Sequence, residues 1–490
     1  GVLAFVLIRP ALRTTAIALG VFLVAIAVYV PDSIDYYRHG HDVITSGQEL
    51  GPLGGPLKLV QVAGVWLHGD YRFVPDPSWP TYALALVVLA LALAGLLAAI
   101  RRRAAAVLLF AIPVLFALAV TAPASSPYID AKLLAILSPA VVAAAGLGVT
   151  LIAARRIALP LAAVLAAALL VSDALAYRMA LPAPSDRLGE LTRIDERFAG
   201  RGPILVNEYE EYVKHYMRRS RGSDPYESWT AGRAELRDPS LPVAAHRYDL
   251  DQMKDAFVRR WPLIALRHSP VESRPPSNYQ RVFSGRWYQV WQRKGPAPVL
   301  HVPLGKPPLD PSAPLDCGLV RRLERRGEVV AAIRPQPSVI SIARPQTLPP
   351  GWYRYGRDNE MLEIHKGGRI AVFDGGPVPP GAAPGSAVQY WIRGRTTREE
   401  RLQIDGGRFR LPRTEQRLSE WVAIGLEPAG TAGPHVELER PKRSLRPGDA
   451  QPDIVGPIVA VANRPTFLAR GARLRLACGA PADWIDVIRR

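Results

Sequence analysis

Residues 81–103 read TYALALVVLALALAGLLAAIRRR. Uncharged residues fill positions 81–100, and the run ends abruptly in three arginines. A helix needs about 20 predominantly apolar residues to cross a bilayer, so this stretch predicts a membrane span. Comparable runs stand at 14–30 (TTAIALGVFLVAIAVYV), 104–122 (AAAVLLFAIPVLFALAVTA) and 131–153 (AKLLAILSPAVVAAAGLGVTLIA). A fifth, 157–177, is Ala-rich but long enough, and residues 1–8 read as the end of a preceding helix. So many runs of full bilayer length argue against buried helices of a soluble core.

Lys/Arg bias sets the orientation of such spans. Arg9 and Arg13, the Arg101–Arg103 turn and the Arg155–Arg156 turn fall on one side if every run spans, which predicts that this side is cytoplasmic. Residues 31–80, the 123–130 loop and everything after about 178 are then expected outside. The expected location is a multi-pass cell membrane protein with its C-terminal domains on the extracytoplasmic side. The opening GVLAFVLIRP lacks Met and shows no signal peptide. It is expected to continue an apolar segment lying upstream.

The 490 residues carry a net charge of +18, and a mean hydropathy of +0.06 averages two unlike parts. Residues 1–178 are rich in Ala, Leu and Val; the remainder is rich in Arg, Pro and Gly. The arginines of the second part are scattered singly, with no basic block, which argues against nucleic acid. Anionic lipid or an anionic cell-wall polymer suits such a surface better.

The outer ends of the spans hold the candidate site. In the 31–80 loop, residues 57–67 (LKLVQVAGVWL) are apolar but too short to span, predicting an interfacial or re-entrant helix. Asp35 precedes it; Asp70 and Arg72 follow it. At 125–134 (SSPYIDAKLL), Tyr128, Asp130 and Lys132 stand at the mouth of the next span. Lys132 can present a positive charge to a phosphate at headgroup level, and a helix N-terminus adds partial positive charge. Asp130 could orient that lysine or bond a sugar hydroxyl, and Tyr128 could stack on a sugar. The plain alternative is solvated loop ends and a snorkelling lysine. His39, His41 and His68 form no zinc-type spacing, so no metal-ligating residues are assigned. A divalent metal ion shared by carboxylates and a donor phosphate stays open as a cofactor.

Beyond 178 the sequence predicts two further domains. Residues 179–295 alternate helix signals (185–200, 210–219, 249–260) with strand signals (202–208, 261–270), and YQRVFSGRWYQVWQR (279–293) reads as a hairpin about Ser-Gly. PAPVLHVPLGKPPLDPSAPLD (296–316) reads as a stiff proline-rich linker. Residues 317–490 hold short β runs between Gly/Pro turns, predicting an all-β sandwich of jelly-roll type. Cys317 and Cys478 are the only cysteines. A disulfide between them would tie the sandwich ends and stabilise by about 4 kcal/mol. Trp352, Tyr353, Tyr355, Tyr390 and Trp391 could stack on sugars, or simply fill the core.

The fold class is therefore multi-domain: an α-helical transmembrane bundle, a small α/β exported domain and a C-terminal β-sandwich. SPYIDAKLLAILSP (126–139), SRPPSNYQRVFSGRWYQVWQR (273–293) and ELERPKRSLRPGDAQPDIVGPIV (437–459) carry a resemblance over most of the chain. The arrangement resembles the C-terminal half of a GT-C glycosyltransferase of actinobacterial type. The resemblance implies membrane lipid, a polyprenyl-phosphate-linked sugar and a cell-envelope glycan acceptor as partners. It implies inverting transfer, with a carboxylate as base and cations at the phosphate; Lys132, Asp130, Tyr128, Arg72, Asp70 and Asp35 would be donor or sugar contacts. The family's catalytic acid lies in the first outer loop, expected before Gly1, so no catalytic residue is carried over. The alternative is a non-enzymatic, membrane-anchored envelope protein whose sandwich binds polysaccharide.

Overall fold

The computed structural model describes residues 55–104, 126–180 and most of 185–490, with scattered positions before 55. The longer stretches outside it are 105–125, 181–184, 227–232, 356–359, 374–381, 412–420, 429–434 and 441–449. The chain divides into two compact units, Gly1–Ala180 and Leu181–Arg490.

In the first unit, among the described residues, three helices are long and apolar enough to cross a membrane: α1 (Trp79–Arg102), α2 (Pro127–Val149) and α3 (Arg155–Met179). They mark the chain for membrane association. The spans expected at 14–30 and 104–122 fall mostly outside the described residues. Helix α2 begins four residues earlier than the apolar run suggests. Ser126 caps it, its Oγ accepting the Ile129 N–H at 3.4 Å, and Pro127 takes the first turn.

Helices α1 and α2 touch through small residues. A Cβ on Gly95 would run into the Ala144 carbonyl, and one on Gly148 into the Leu91 carbonyl. Lipid supplies no hydrophobic drive between helices, so close backbone approach of this kind is what holds them. Against them lies a short 3-10 turn, Leu59–Ala63, ended by Gly64 at φ 74°. A Cβ at Gly64 would lie 3.1 Å from Ser138 Oγ, 3.2 Å from Val142 and 3.3 Å from Leu169. Ser138 is eleven residues into α2, about 16 Å along its axis at 1.5 Å per residue. The segment predicted as interfacial or re-entrant is thus seated among the helices near their midpoints. Irregular backbone at that depth must be buried in protein and hydrogen-bonded. Here the Trp66 N–H donates to Ser172 Oγ at 3.0 Å, and Ala63 and Val65 are fully buried.

The second unit opens with α4 (Ser185–Arg197), β1 (Ile204–Val206), α5 (Val213–Tyr216), β2 (Gly222–Ser223), α6 (Asp255–Val258), β3 (Leu263–Arg267), β4 (Tyr279–Ser284) and β5 (Tyr288–Arg293). The sheet runs β2-β1-β3-β5-β4, parallel through β2, β1 and β3, then antiparallel. Strand β3 is buried throughout. Leu263 and Ala265 face Leu188, Leu191 and Ile194 of α4, while Ile264 and Leu266 face Phe257, Trp261 and Met253. Burial on both faces is why this strand reads as a continuous apolar run. The 249–260 helix signal resolves into two pieces, a 3-10 turn at Leu250–Gln252 and α6.

Two domain limits differ from the sequence reading. The 296–316 stretch is no free linker: it contains β6 (Leu300–Pro303) and β7 (Ala313–Pro314). Pro303 ends the edge strand β6 and Pro314 the two-residue β7, where a missing N–H costs least. Nor is 317–490 one sandwich. Helix α7 (Cys317–Glu324) and β8 (Glu328–Ile333) precede the sandwich, and β19 (Phe467–Arg470), α8 (Gly471–Leu476) and β20 (Pro481–Ile488) follow it. Together they form a separate sheet, β19-β8-β20-β6, with β7 also on β20. Val320 and Leu323 of α7 and Leu474 of α8 cover one face. The Cys317–Cys478 disulfide is present, and it closes this sheet domain rather than the sandwich.

The sandwich is inserted between β8 and β19. Its strands are β9 (Ser338–Ile340), β10 (Trp352–Tyr355), β11 (Met361–Ile364), β12 (Gly368–Phe373), β13 (Ala387–Arg395), β14 (Glu400–Ile404), β15 (Gly407–Leu411), β16 (Trp421–Pro428), β17 (His435–Arg440) and β18 (Asp453–Ala462). One sheet is β10-β11-β18-β13-β16 with β9 on β18; the other is β12-β17-β14-β15. Leu362, Ile392 and Ile458 of the first pack against Ile370, Ile404 and Leu438 of the second. Trp352 and Tyr390 are buried in this core, whereas Tyr353 is exposed and edge-on to His365 at 5.4 Å.

Candidate functional site

In the first unit, α1 and α2 begin, and α3 ends, at one end of the helices. Tyr128 and Lys132 share a face of α2 one turn apart, and Lys132 Nζ lies 4.3 Å over the Tyr128 ring. A cation–π contact of this kind holds an ammonium without neutralising it. Asp130 sits in the same first turn, where its charge complements the helix dipole.

Arg72 is held by Asp70. Its Nε donates to Asp70 Oδ1 at 2.9 Å and its Nη2 to Oδ2 at 2.5 Å, and its backbone N–H also donates to Oδ1, at 3.0 Å. Asp70 is buried, with its own N–H donating to His68 Nδ1 at 3.0 Å. A Cβ on Gly69 would meet Met179 and Leu175, so this loop sits at the closing end of α3. The pair forms because the chain turns tightly after Gly69 and the two side chains are only two residues apart. Asp35 lies outside the described residues. Among the described residues no group of His, Cys, Asp and Glu has metal-binding geometry.

Around the α/β sheet of the second unit lie two buried polar clusters that sequence reading missed. At the carboxyl ends of β1 and β3, Glu208 accepts from Arg187 Nη1 at 2.9 Å and from the Tyr288 hydroxyl, with Arg267 Nη1 3.5 Å away. Burial would raise the Glu208 pKa, but Arg187 and Arg267 more than offset it and hold the carboxyl below its usual range. Beside it, Asn207 Nδ2 donates to Glu272 Oε1 at 2.8 Å, and Arg247 pairs with Glu272. Burial raises Glu272 to about 7. Crevices at strand carboxyl ends are where α/β sheets bind ligands; here the buried charges pair with one another.

The second cluster joins the α/β sheet to the disulfide-closed sheet. His301 of β6 donates to Asp486 of β20 and to Asp251. Around it, the 273–279 connection is clamped by its backbone: the Arg274 N–H donates to Asp483, the Ser277 N–H to Asp486 at 2.6 Å, and Trp484 Nε1 to the Arg274 carbonyl at 2.6 Å. The conspicuous SRPPSNY stretch is thus a structural clasp. Its partners lie some 209 residues away in sequence, so no local pattern could have revealed them.

No family model matches the chain, and no curated protein does. Among solved structures, one similar chain is CsCBM6-3 from Clostridium stercorarium, solved in complex with cellobiose. Identity is 11% and the TM-score 0.15, over 31% of this chain and 94% of that one. A likeness at that score carries no argument.

Proposed function

We propose that this chain is part of an integral membrane glycosyltransferase that moves a sugar from a polyprenyl-phosphate donor to a cell-envelope acceptor on the outer face. The observation that carries this reading is the placing of Lys132, Arg72 and Asp70 at one end of the spans, beside a re-entrant segment seated between them. Deep, irregular backbone among membrane helices is tolerated where it lines protein or a cavity, and cations there suit an anion at headgroup level. The arginine turns at 101–103 and 155–156 lie at the opposite ends of the helices, and by the positive-inside rule support an extracytoplasmic mouth. A disulfide in the following unit belongs to an oxidising compartment.

In such a transfer the acceptor hydroxyl attacks the anomeric carbon as the bond from that carbon to the phosphate oxygen breaks. The hydroxyl proton passes to a carboxylate base, and polyprenyl phosphate leaves with its charge. Lys132 stabilises the leaving phosphate, while Asp70 fixes Arg72 for the same anion. Tyr128 holds Lys132 in place.

The test uses the whole protein that contains this chain, in membranes, with radiolabelled polyprenyl-phosphate sugars. Lys132→Ala is expected to lower transfer by about 100-fold, the scale for losing one charge-stabilising group, with expression unchanged. Undiminished transfer returns Lys132 to a snorkelling anchor. If no donor is consumed by the parent chain, the non-enzymatic polysaccharide-binding reading takes its place.

A further inference from the structure

The sandwich carries a charged face that none of the preceding roles uses. On the side of the β12-β17-β14-β15 sheet away from the core, register aligns two rows. Arg410, Arg401, Glu439 and Arg369 face one another across the strands, as do Arg408, Gln403 and Glu437. These side chains line a hollow of about 450 Å³. Arg401 and Arg369 are well exposed, at 70% and 63%.

Two features point to a ligand. Arg401 and Arg410 are directly opposed on neighbouring strands, and like charges so placed destabilise a sheet. The two glutamates are already engaged, Glu439 with Arg401 at 3.5 Å and Glu437 with Arg369, while among the described residues no acidic side chain pairs with Arg408. Arginines on edge strand β15 could simply discourage edge pairing, but Arg401 lies on the inner strand β14, where that purpose is absent.

We propose that this face binds an anionic polysaccharide, its arginines meeting successive acidic groups along the polymer. Concavity and a polar lining disfavour a bilayer, whose binding surfaces present apolar side chains for insertion. Phe409, an aromatic side chain in the lining, is partly buried against the core, and a single ring so held is no platform for the stacking of successive bases of single-stranded nucleic acid. Strands about 4.8 Å apart place cations at the spacing of neighbouring groups on an extended chain. The inference stands independently of glycosyl transfer.

The test titrates the full chain in detergent with polygalacturonate, neutral dextran of equal length, phosphatidylglycerol vesicles and a single-stranded oligonucleotide. Polygalacturonate is expected to bind, more weakly at higher salt, and dextran not to bind. Arg401→Glu/Arg408→Glu should weaken polygalacturonate by roughly tenfold or more, while Arg401→Lys/Arg408→Lys retains most of it. Circular dichroism checks that each variant keeps its strands. Equal binding by the charge-reversed variant, binding of dextran, or preference for vesicles or oligonucleotide overturns the proposal, as does no binding of polygalacturonate by the parent.

Discussion

His301 Nδ1 lies 2.6 Å from Asp486 Oδ1, and the two side chains are 6% and 0% exposed. The same ring reaches Asp251 Oδ1 through Nε2 at 3.1 Å. Burial lowers the His301 pKa, but its bonds to the two carboxylates outweigh that and carry it from 6.5 to about 10. Burial carries Asp251 from 3.8 up to about 7. Both groups therefore hold protons in the folded state at pH values where the unfolded chain releases them. Stability falls wherever the folded state binds more protons. Asp251 contributes that fall between about pH 4 and 7, and His301 between about 6.5 and 10. Hydrogen exchange of β6 and β20 should report it, with opening free energy dropping by up to about 1.4 kcal/mol per pH unit per proton above pH 7. A His301→Gln variant should flatten that slope. A slope unchanged in the variant would show that other groups set it.

Glu190 holds the β4–β5 hairpin. Its buried carboxylate accepts the N–H groups of Arg286, Trp287 and Tyr288 at 2.9, 3.1 and 2.8 Å. A Cβ on Gly285 would collide with that carboxylate. Glu190→Ala is expected to cost about 3 kcal/mol, the scale for hydrogen bonds to a buried charge. Gly285→Ala should destabilise comparably by pushing the carboxylate out. Urea midpoints at constant slope would check both.

Arg440 and Asp453 form an ion pair, Nε to Oδ2 at 2.6 Å, with both side chains fully buried and Glu400 3.6 Å away. Asp453 also accepts from the Thr397 hydroxyl at 2.6 Å, and Arg440 donates to the Ile364 carbonyl. Arg440→Met leaves two buried carboxylates without their cation, and should cost about 3–5 kcal/mol. Thermal unfolding of the variant is the direct measurement. A shift within error of zero would mean that the carboxylates take up protons at no cost.

Helix packing in the first unit predicts a further effect. Gly148→Leu should force α2 away from α1, because the side chain would meet the Leu91 carbonyl. Thermal unfolding in detergent should come at a lower temperature for Gly148→Leu than for the parent chain, with Gly148→Ala between them; equal midpoints would show that this close approach does not hold the helices. Loss of the α1–α2 contact would also leave the 59–63 turn without two of its walls.

The three long helices were legible because runs of some twenty apolar residues are what crossing a bilayer demands; the runs at 14–30 and 104–122 lie mostly outside the described residues. The 279–293 hairpin was legible because its turn residues and alternation are local. Domain limits were not. A β run carries its period but no mark of which sheet it joins, so VVAAI (329–333) resembled the sandwich strands that follow it, and ARLRLACG (472–479), read as a β run, mostly forms α8 (Gly471–Leu476). Prolines at 298 and 303 suggested a linker, although an edge strand accepts them. The buried clusters were illegible for the same reason: Asp251, His301 and Asp486 meet only through long-range folding. Sequence placed Tyr128, Lys132, Asp70 and Arg72 near the ends of long apolar runs. It could not show that Arg72 turns back upon Asp70.

Ile333 and Phe467 stand opposite each other in the pairing of β8 with β19, followed inward by Val330 with Arg470. The chain thus leaves for the sandwich and returns from it at the same end of one strand pair. A pull on the sandwich would load that pair like a zipper, breaking its bonds one after another rather than all together. Peeling cannot run far. Cys317 lies just before β8 and Cys478 just after α8, so the covalent bond caps the extension at the stretch between them. A domain gripping a polymer anchored elsewhere would yield under load by no more than the stretches from Cys317 to Ile333 and from Phe467 to Cys478, then hold, and the strands would re-pair when the tension eased.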